Sequence, residues 1–486
     1  MVVLLFCVAS AAAADLRLGV AVVKITPPVG TPMAGYYAER KSQGVLDDVY
    51  AKAVVLDDGK TKAAMVVCDL LGLPRAVVVE ARRIVAQKTG IPTKNVMISA
   101  THTHNGPVVL GDSKIDNLVA GGNTLSQDYT QQLPKWIAQA VEEANGRLTA
   151  VRISYGCQNE PSVSFIRRFW MKDGSVGWNP GKLNSDIVRP IGVIDPQVNV
   201  IFAETVGTKA DSMPDTMAAD GSHHTVASDR KPLLTYVNYA NHLDTTGGAL
   251  ISADFPGTIA QLLADYKGPG MLTIFANGTC GNINHLDVTS ATPQTSPEEA
   301  KRIGTILAGA VRKTYPHLTA VGDTTLRVRR EVVLLPLAKF TDDELHDARD
   351  IVAKNGDNKP FLEQVKAYRI VDVAAREGKP FEVDVQVFSL GSQIAWVALP
   401  GECFVELGMN IKAASPFRQT NVIELANGGE SYIPNRSAFA EGQYEVVSSR
   451  YAEGAGENLV TTAIRLLGEL HRDAAGETAK NRTDAK

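Results

Sequence analysis

Residues 98–107 read Ile-Ser-Ala-Thr-His-Thr-His-Asn-Gly-Pro. With Val96 before them, Ile98 and Ala100 recur at every second position, the period of a strand, and Asn105-Gly106-Pro107 halts any regular element that follows. A strand running into such a loop puts the loop where binding and catalytic groups gather. In an extended Thr-His-Thr-His, His102 and His104 share one face. Both imidazoles can then reach one ion, or one can bind while the other moves a proton. Two imidazoles do not complete a zinc-type shell, so the other ligands must come from elsewhere in the chain.

Outward from this segment, strands and helices alternate. Period-two apolar runs mark strands at 18–25, 51–56 and 63–69, the last two joined by Asp57-Asp58-Gly59-Lys60 as a hairpin. An amphipathic helix at 75–88 stops before Gly90, and a longer one covers 126–145. Further strands fall at 151–155, 198–204, 233–241 and 271–276, with helices at 255–266 and 297–315. The last third offers strands at 325–335, 381–389, 393–399 and 421–425, and helices at 403–413 and 457–472. Two charged helices at 342–354 and 361–376 look like a peripheral cover. The pattern predicts an α/β fold of mixed β-sheets layered with helices, a single large domain over 15–472 with its site at strand ends. A polar tail at 473–486 is expected to fray.

The chain has 486 residues, 44% hydrophobic and 21% charged, enough for a sizeable core. A net charge of −4 shows no basic excess, which sets nucleic acid aside as a partner. Residues 1–14, MVVLLFCVASAAAA, read as a signal peptide cleaved near Ala14, so the protein is expected to be exported, periplasmic or extracellular; the missing basic n-region points to a start further upstream or to a trimmed chain. No later run approaches the roughly 20 apolar residues that span a bilayer. Of five cysteines, cleavage leaves Cys68, Cys157, Cys280 and Cys403, without a zinc-ribbon spacing, and one or two disulfides are compatible with export. Oligomeric state is not legible.

Polar residues at predicted strand ends are His102, His104, His242, Asn284, His285, Glu402 and Tyr432. Two or three imidazoles with a carboxylate form a zinc-type donor set, catalytic where one position is left to water. His285 reads as a structural histidine in its turn, and His223 and His224 as members of an exposed excursion without a role.

ISATHTHNGP, ANHLDTTGGALISADFPG, FANGTCGNINH, VALPGE and YIPNRSAFAEGQYE, in this order, resemble the neutral ceramidases, zinc amidases that split ceramide into sphingosine and a fatty acid. The resemblance spans roughly residues 18–472. It implies a Zn2+ ion held by His102, His242, Glu402 and Tyr432. It further implies that His104 handles protons beside the metal, that Tyr444, twelve residues after Tyr432, contacts the reacting carbonyl, and that Arg167, with Arg168 as the fallback, stabilises the oxyanion. Where the family carries an essential serine, this chain has Asn284, which donates a hydrogen bond but is no nucleophile. The family's immunoglobulin-like C-terminal domain has no counterpart in the sequence given.

Zinc-activated attack of water on an amide carbonyl of a lipid or related N-acyl substrate is the activity so implied. A rival keeps the same metal shell for a sugar, as a deacetylase or uronate lyase. The polar loops at Asn105, Asn284 and Asn427 favour that rival, since a ceramide tunnel calls for more exposed apolar residues. A binding module with a vestigial zinc site is the third reading, disfavoured by retention of every candidate ligand.

Overall fold

The structure, a computed structural model, describes residues 16–207, 229–354, 359–429 and 431–483. Residues 1–14, His223 and His224 lie outside the described residues.

Strand Arg17–Lys24 pairs antiparallel with Tyr50–Asp57, and that strand with Lys62–Cys68 across a turn in which Gly59 adopts a φ of 85°. Lys62–Cys68 then runs parallel to Val96–Ala100. Side chains alternate across these strands. Ala51, Ala53 and Val55 face helices Arg75–Thr89 and Thr124–Asn145, while Val54 and Leu56 turn the other way, into a second apolar cluster. Because both faces are buried, the strands are apolar nearly throughout.

On its other side Arg17–Lys24 meets Thr149–Asn159 through two residue pairs, and the sheet continues through Gln197–Thr205 and Pro232–Tyr239 to Leu272–Asn277. Nine strands result, counting Thr319–Ala320 beside Thr149–Asn159. Helices Phe255–Lys267 and Pro297–Thr314 cover the outside of this half. A four-stranded sheet, Leu326–Leu335, Phe381–Leu390, Ile394–Ala398 and Gln419–Ile423, packs Phe388, Trp396 and Ile423 onto Leu18, Met65, Tyr236 and Ile274 of the large one. Its other face, with Val385, Val397 and Val422, lies under helices Val405–Ala414 and Ala455–Thr483. The layers are helix, sheet, sheet, helix, the mixed α/β architecture the pattern predicts.

Besides two ladders of two residues each, three longer strand pairs among the described residues are parallel: Lys62–Cys68 with Val96–Ala100, Pro232–Tyr239 with Leu272–Asn277, and Ile394–Ala398 with Gln419–Ile423. Their C-terminal ends meet. Ala100 N donates to Leu425 O at 3.2 Å, Asn427 N to Ile98 O at 2.7 Å, and Glu424 N to Asn277 O at 3.2 Å. The chain leaving Gln419–Ile423 thus stitches together both edges of the large sheet. His102, His242 and Glu402 each lie two to four residues beyond one of these ends, and Tyr432 pairs with Glu402.

Three expectations change. The C-terminal helix runs on to Thr483, taking in most of the tail expected to fray. Cys68, Cys157, Cys280 and Cys403 are all free thiols, three of them buried, so no disulfide forms among the described residues. Helix Phe361–Ala374 is more than a cover, because Arg369 lines the cavity described below and Phe361 stacks on Tyr444 at 5.9 Å between centroids.

Candidate metal centre

The strand ends at Ala100, and His102 is held at a φ of 79°, a conformation that strains a residue with a β-carbon. The two histidines therefore do not share a strand face; the left-handed step folds the chain so that their rings stand 5.0 Å apart. Backbone bonds fix the step, His102 N donating to Leu70 O and His104 N to Leu243 O, each at 2.9 Å. His242 follows the end of Pro232–Tyr239, its ring centroid 4.3 Å from that of His102.

The three Nε2 atoms converge. His242 Nε2 is 3.1 Å from those of both His102 and His104, and Glu402 Oε2 is 3.2 Å from His102 Nε2. His102 Nδ1 faces Leu71 O at 2.9 Å; a carbonyl only accepts, so Nδ1 carries the proton and Nε2 presents a lone pair. Burial above all holds the pKa values of His242 and His104 well below the usual histidine range, which keeps their lone pairs bare. Burial works against ionisation of Glu402, but His102, Tyr432 and Arg167 hold its pKa below the usual value; Glu402 Oε2 has no hydrogen-bond partner among the described residues. Three lone pairs and a carboxylate crowded together need an electrophile between them. A divalent ion fits the donor set, and nitrogen with carboxylate oxygen suits zinc.

Glu402 and Tyr432 are direct partners in a two-residue parallel ladder, which aligns both side chains on the site. Tyr444 opens a short helix, Tyr444–Ser448, and stacks on Trp178 at 4.3 Å. The Arg167 guanidinium lies 5.3 Å from the Tyr432 ring centroid and 6.0 Å from that of Tyr444, anchored by Nε to Glu445 at 2.8 Å and by a guanidinium nitrogen to Gly281 O at 2.6 Å. Arg168 instead binds Glu441 and Glu445, away from the cluster. A cavity of about 200 Å³ opens onto His102, His104, Glu402, Tyr432 and Tyr444, with Leu71 and Val108 among its apolar walls. Arg167 is not part of its lining and lies behind the two tyrosines.

Asn284 does not reach this cavity. Its Nδ2 donates to Asn179 Oδ1 and its Oδ1 accepts from Leu286 N, both at 3.0 Å. The other two asparagines taken as signs of a polar substrate are equally committed. Asn105 donates to Gly247 O and Leu250 O, and Asn427 bonds Ile98 N and Gln386, all inside the fold. The support they lent to a sugar substrate falls away. His285 is buried near Asp244, with burial lowering its pKa first of all.

Sequence reasoning missed Asp244, Cys280 and Glu424. Asp244 Oδ1 is 3.8 Å from His104 Nδ1 and accepts from the Tyr36 hydroxyl. Glu424 is fully buried behind His242 beside Cys280, and burial pushes its pKa up to about 8. The available signals were a carboxylate two residues after His242 and an acid inside the otherwise apolar run 422–425.

No helix among the described residues is long and apolar enough to cross a membrane. The family model for "Neutral/alkaline non-lysosomal ceramidase, N-terminal" matches residues 16–167, a stretch that holds His102, His104 and Arg167. Neutral ceramidase from Pseudomonas aeruginosa is 23% identical over 86% of this chain; the match spans 66% of that protein, just under two thirds of its length. The crystal structure of neutral ceramidase from Pseudomonas aeruginosa superposes with a TM-score of 0.72 at 21% identity, covering 95% of this chain and 75% of that one. A ceramidase complexed with C2 gives 0.70 at 19% identity over 95% and 76% of the two chains. At these identities the superpositions speak for a common fold, and within it residues 16–167 match the neutral/alkaline non-lysosomal ceramidase family.

Proposed function

We propose that the protein is an exported zinc-dependent amidase that hydrolyses the N-acyl bond of ceramide or a related N-acyl substrate. The observation that carries this reading is the approach of the His102 and His242 Nε2 atoms to 3.1 Å beside the Glu402 carboxylate, where His102 and Glu402 line a cavity. His102, His242, Glu402 and Tyr432 would hold the ion, which when bound supplies Lewis acidity and lowers the pKa of water toward about 7.

The chain's own groups divide the remaining work. His104 Nδ1 has no hydrogen-bond partner among the described residues, so neither tautomer is locked, which suits a group that takes a proton from the attacking water and hands it to the leaving nitrogen. Tyr444, on the cavity wall, donates its hydroxyl proton to the developing oxyanion, an interaction worth about 2.7–4 kcal/mol in comparable sites. Arg167 supports it from behind as a fixed cation. Export rests on residues 1–14.

Purified protein is tested against short-chain ceramide, other N-acyl amides, acetamido sugars and uronates, with and without chelator, alongside elemental analysis. Amide hydrolysis abolished by chelator and restored by zinc is expected. Turnover confined to the sugar substrates, or amide hydrolysis indifferent to chelator, would overturn the proposal.

A further inference from the structure

Behind His242, on the side away from the cavity, lies a buried thiol with three partners. Cys280 Sγ donates to Glu424 Oε1 at 2.8 Å, and it faces His242 Nδ1 at 3.7 Å and Asn277 Nδ2 at 3.5 Å. Cys280 N donates to Glu424 Oε2 at 3.0 Å, so both carboxylate oxygens grip the same residue. All of these groups are buried, Cys280 and Glu424 completely. A histidine that binds metal through Nε2 needs an acceptor at Nδ1 to fix its tautomer and the plane of its ring. His102 has the Leu71 carbonyl; His242 has this sulfur.

We propose that Cys280 and Glu424 are positioning residues that fix the His242 imidazole for metal binding, the thiol accepting from Nδ1–H and donating to the carboxylate. This presupposes that His242 binds the metal as proposed above. Asn277 pins the sulfur from the strand end, and Glu424 stands just past the end of Gln419–Ile423, so the relay ties the ligand to two of the three converging strand pairs.

The test titrates zinc into metal-stripped full-length protein against a chromophoric chelator. Removing such a partner weakens metal binding by about 10–100-fold, the loss expected for Cys280→Ala, with the metal-free melting temperature unchanged. Cys280→Ser, which keeps a donor and an acceptor, should restore most of the affinity. If Cys280→Ala fails to fold, infrared difference spectra of the unmodified protein decide: zinc loading should shift an S–H stretching band that Cys280→Ser lacks, and no shift on a protein that binds zinc overturns the relay. Wild-type affinity in Cys280→Ala does the same. His242→Ala separates the two ideas. If it loses zinc while Cys280→Ala keeps it, only the relay fails; if His242→Ala itself binds zinc normally, the ligand assignment fails.

Discussion

Gly35 lies against the His104 imidazole so closely that a β-carbon built on it would stand 2.5 Å from Nδ1. Its φ of 106° adds strain for any residue with a side chain. Gly35→Ala should therefore push the ring out of place, and a displacement near 1 Å at a reacting group costs about 100-fold in rate. Steady-state kinetics with metal analysis checks this: kcat falls while metal content holds. Unchanged kcat would show that His104 needs no fixed position.

His242 and His104 should separate in their variants. His242→Ala removes the nitrogen closest to both other imidazoles and is expected to abolish metal retention. His104→Ala should keep the metal and lose turnover by about 10²–10⁴-fold, the contribution of a positioned proton carrier. Because His104 Nε2 also points at the cluster, loss of metal in His104→Ala would make it a ligand.

Much of this was legible in the sequence, for physical reasons that also set the limit. Period-two apolar runs and the Gly90 stop mark local structure, which is why strand Val96–Ala100 and helix Arg75–Thr89 emerge with nearly correct bounds. Pairing is non-local. Nothing near Gln419–Ile423 says that its continuation bonds both Ile98 and Asn277, and that bridge is what gathers the ligands. The histidine pair was found for an incomplete reason, since His102 reaches His104 through a left-handed backbone and not along a strand. Cys280 and Glu424 were invisible because a lone cysteine and a lone acid have meaning only when the fold seals them together behind His242.

Asn284 gives a prediction that depends on its partners. Since its amide is spent on Asn179 and Leu286, Asn284→Ala should cost about 0.5–1.5 kcal/mol of stability and leave KM unchanged. Denaturant unfolding and kinetics on one preparation measure both. A marked rise in KM at unchanged stability would mean that the side chain turns to the substrate after all.

The last prediction concerns Asp384, whose carboxylate is fully buried and takes contacts from Arg82 at 2.6 Å, Arg330 at 2.9 Å and Arg75 at 3.4 Å. It ties helix Arg75–Thr89 to the four-stranded sheet. Burial disfavours its charge, but Arg330 and Arg82 together hold its pKa below the ordinary carboxylate value. A depressed pKa means that the unfolded chain binds the proton first as pH falls. The stabilisation is therefore complete above the unfolded-state pKa and drains away as pH drops through the folded one. Asp384→Asn leaves Arg82 buried without its counter-charge and should lose about 3–5 kcal/mol near neutral pH, as breaking one side of a buried pair does. The gap between wild type and variant should narrow below the usual carboxylate range, as measured by urea unfolding across pH. A gap that stays constant into acid would mean that Asp384 contributes packing and not charge.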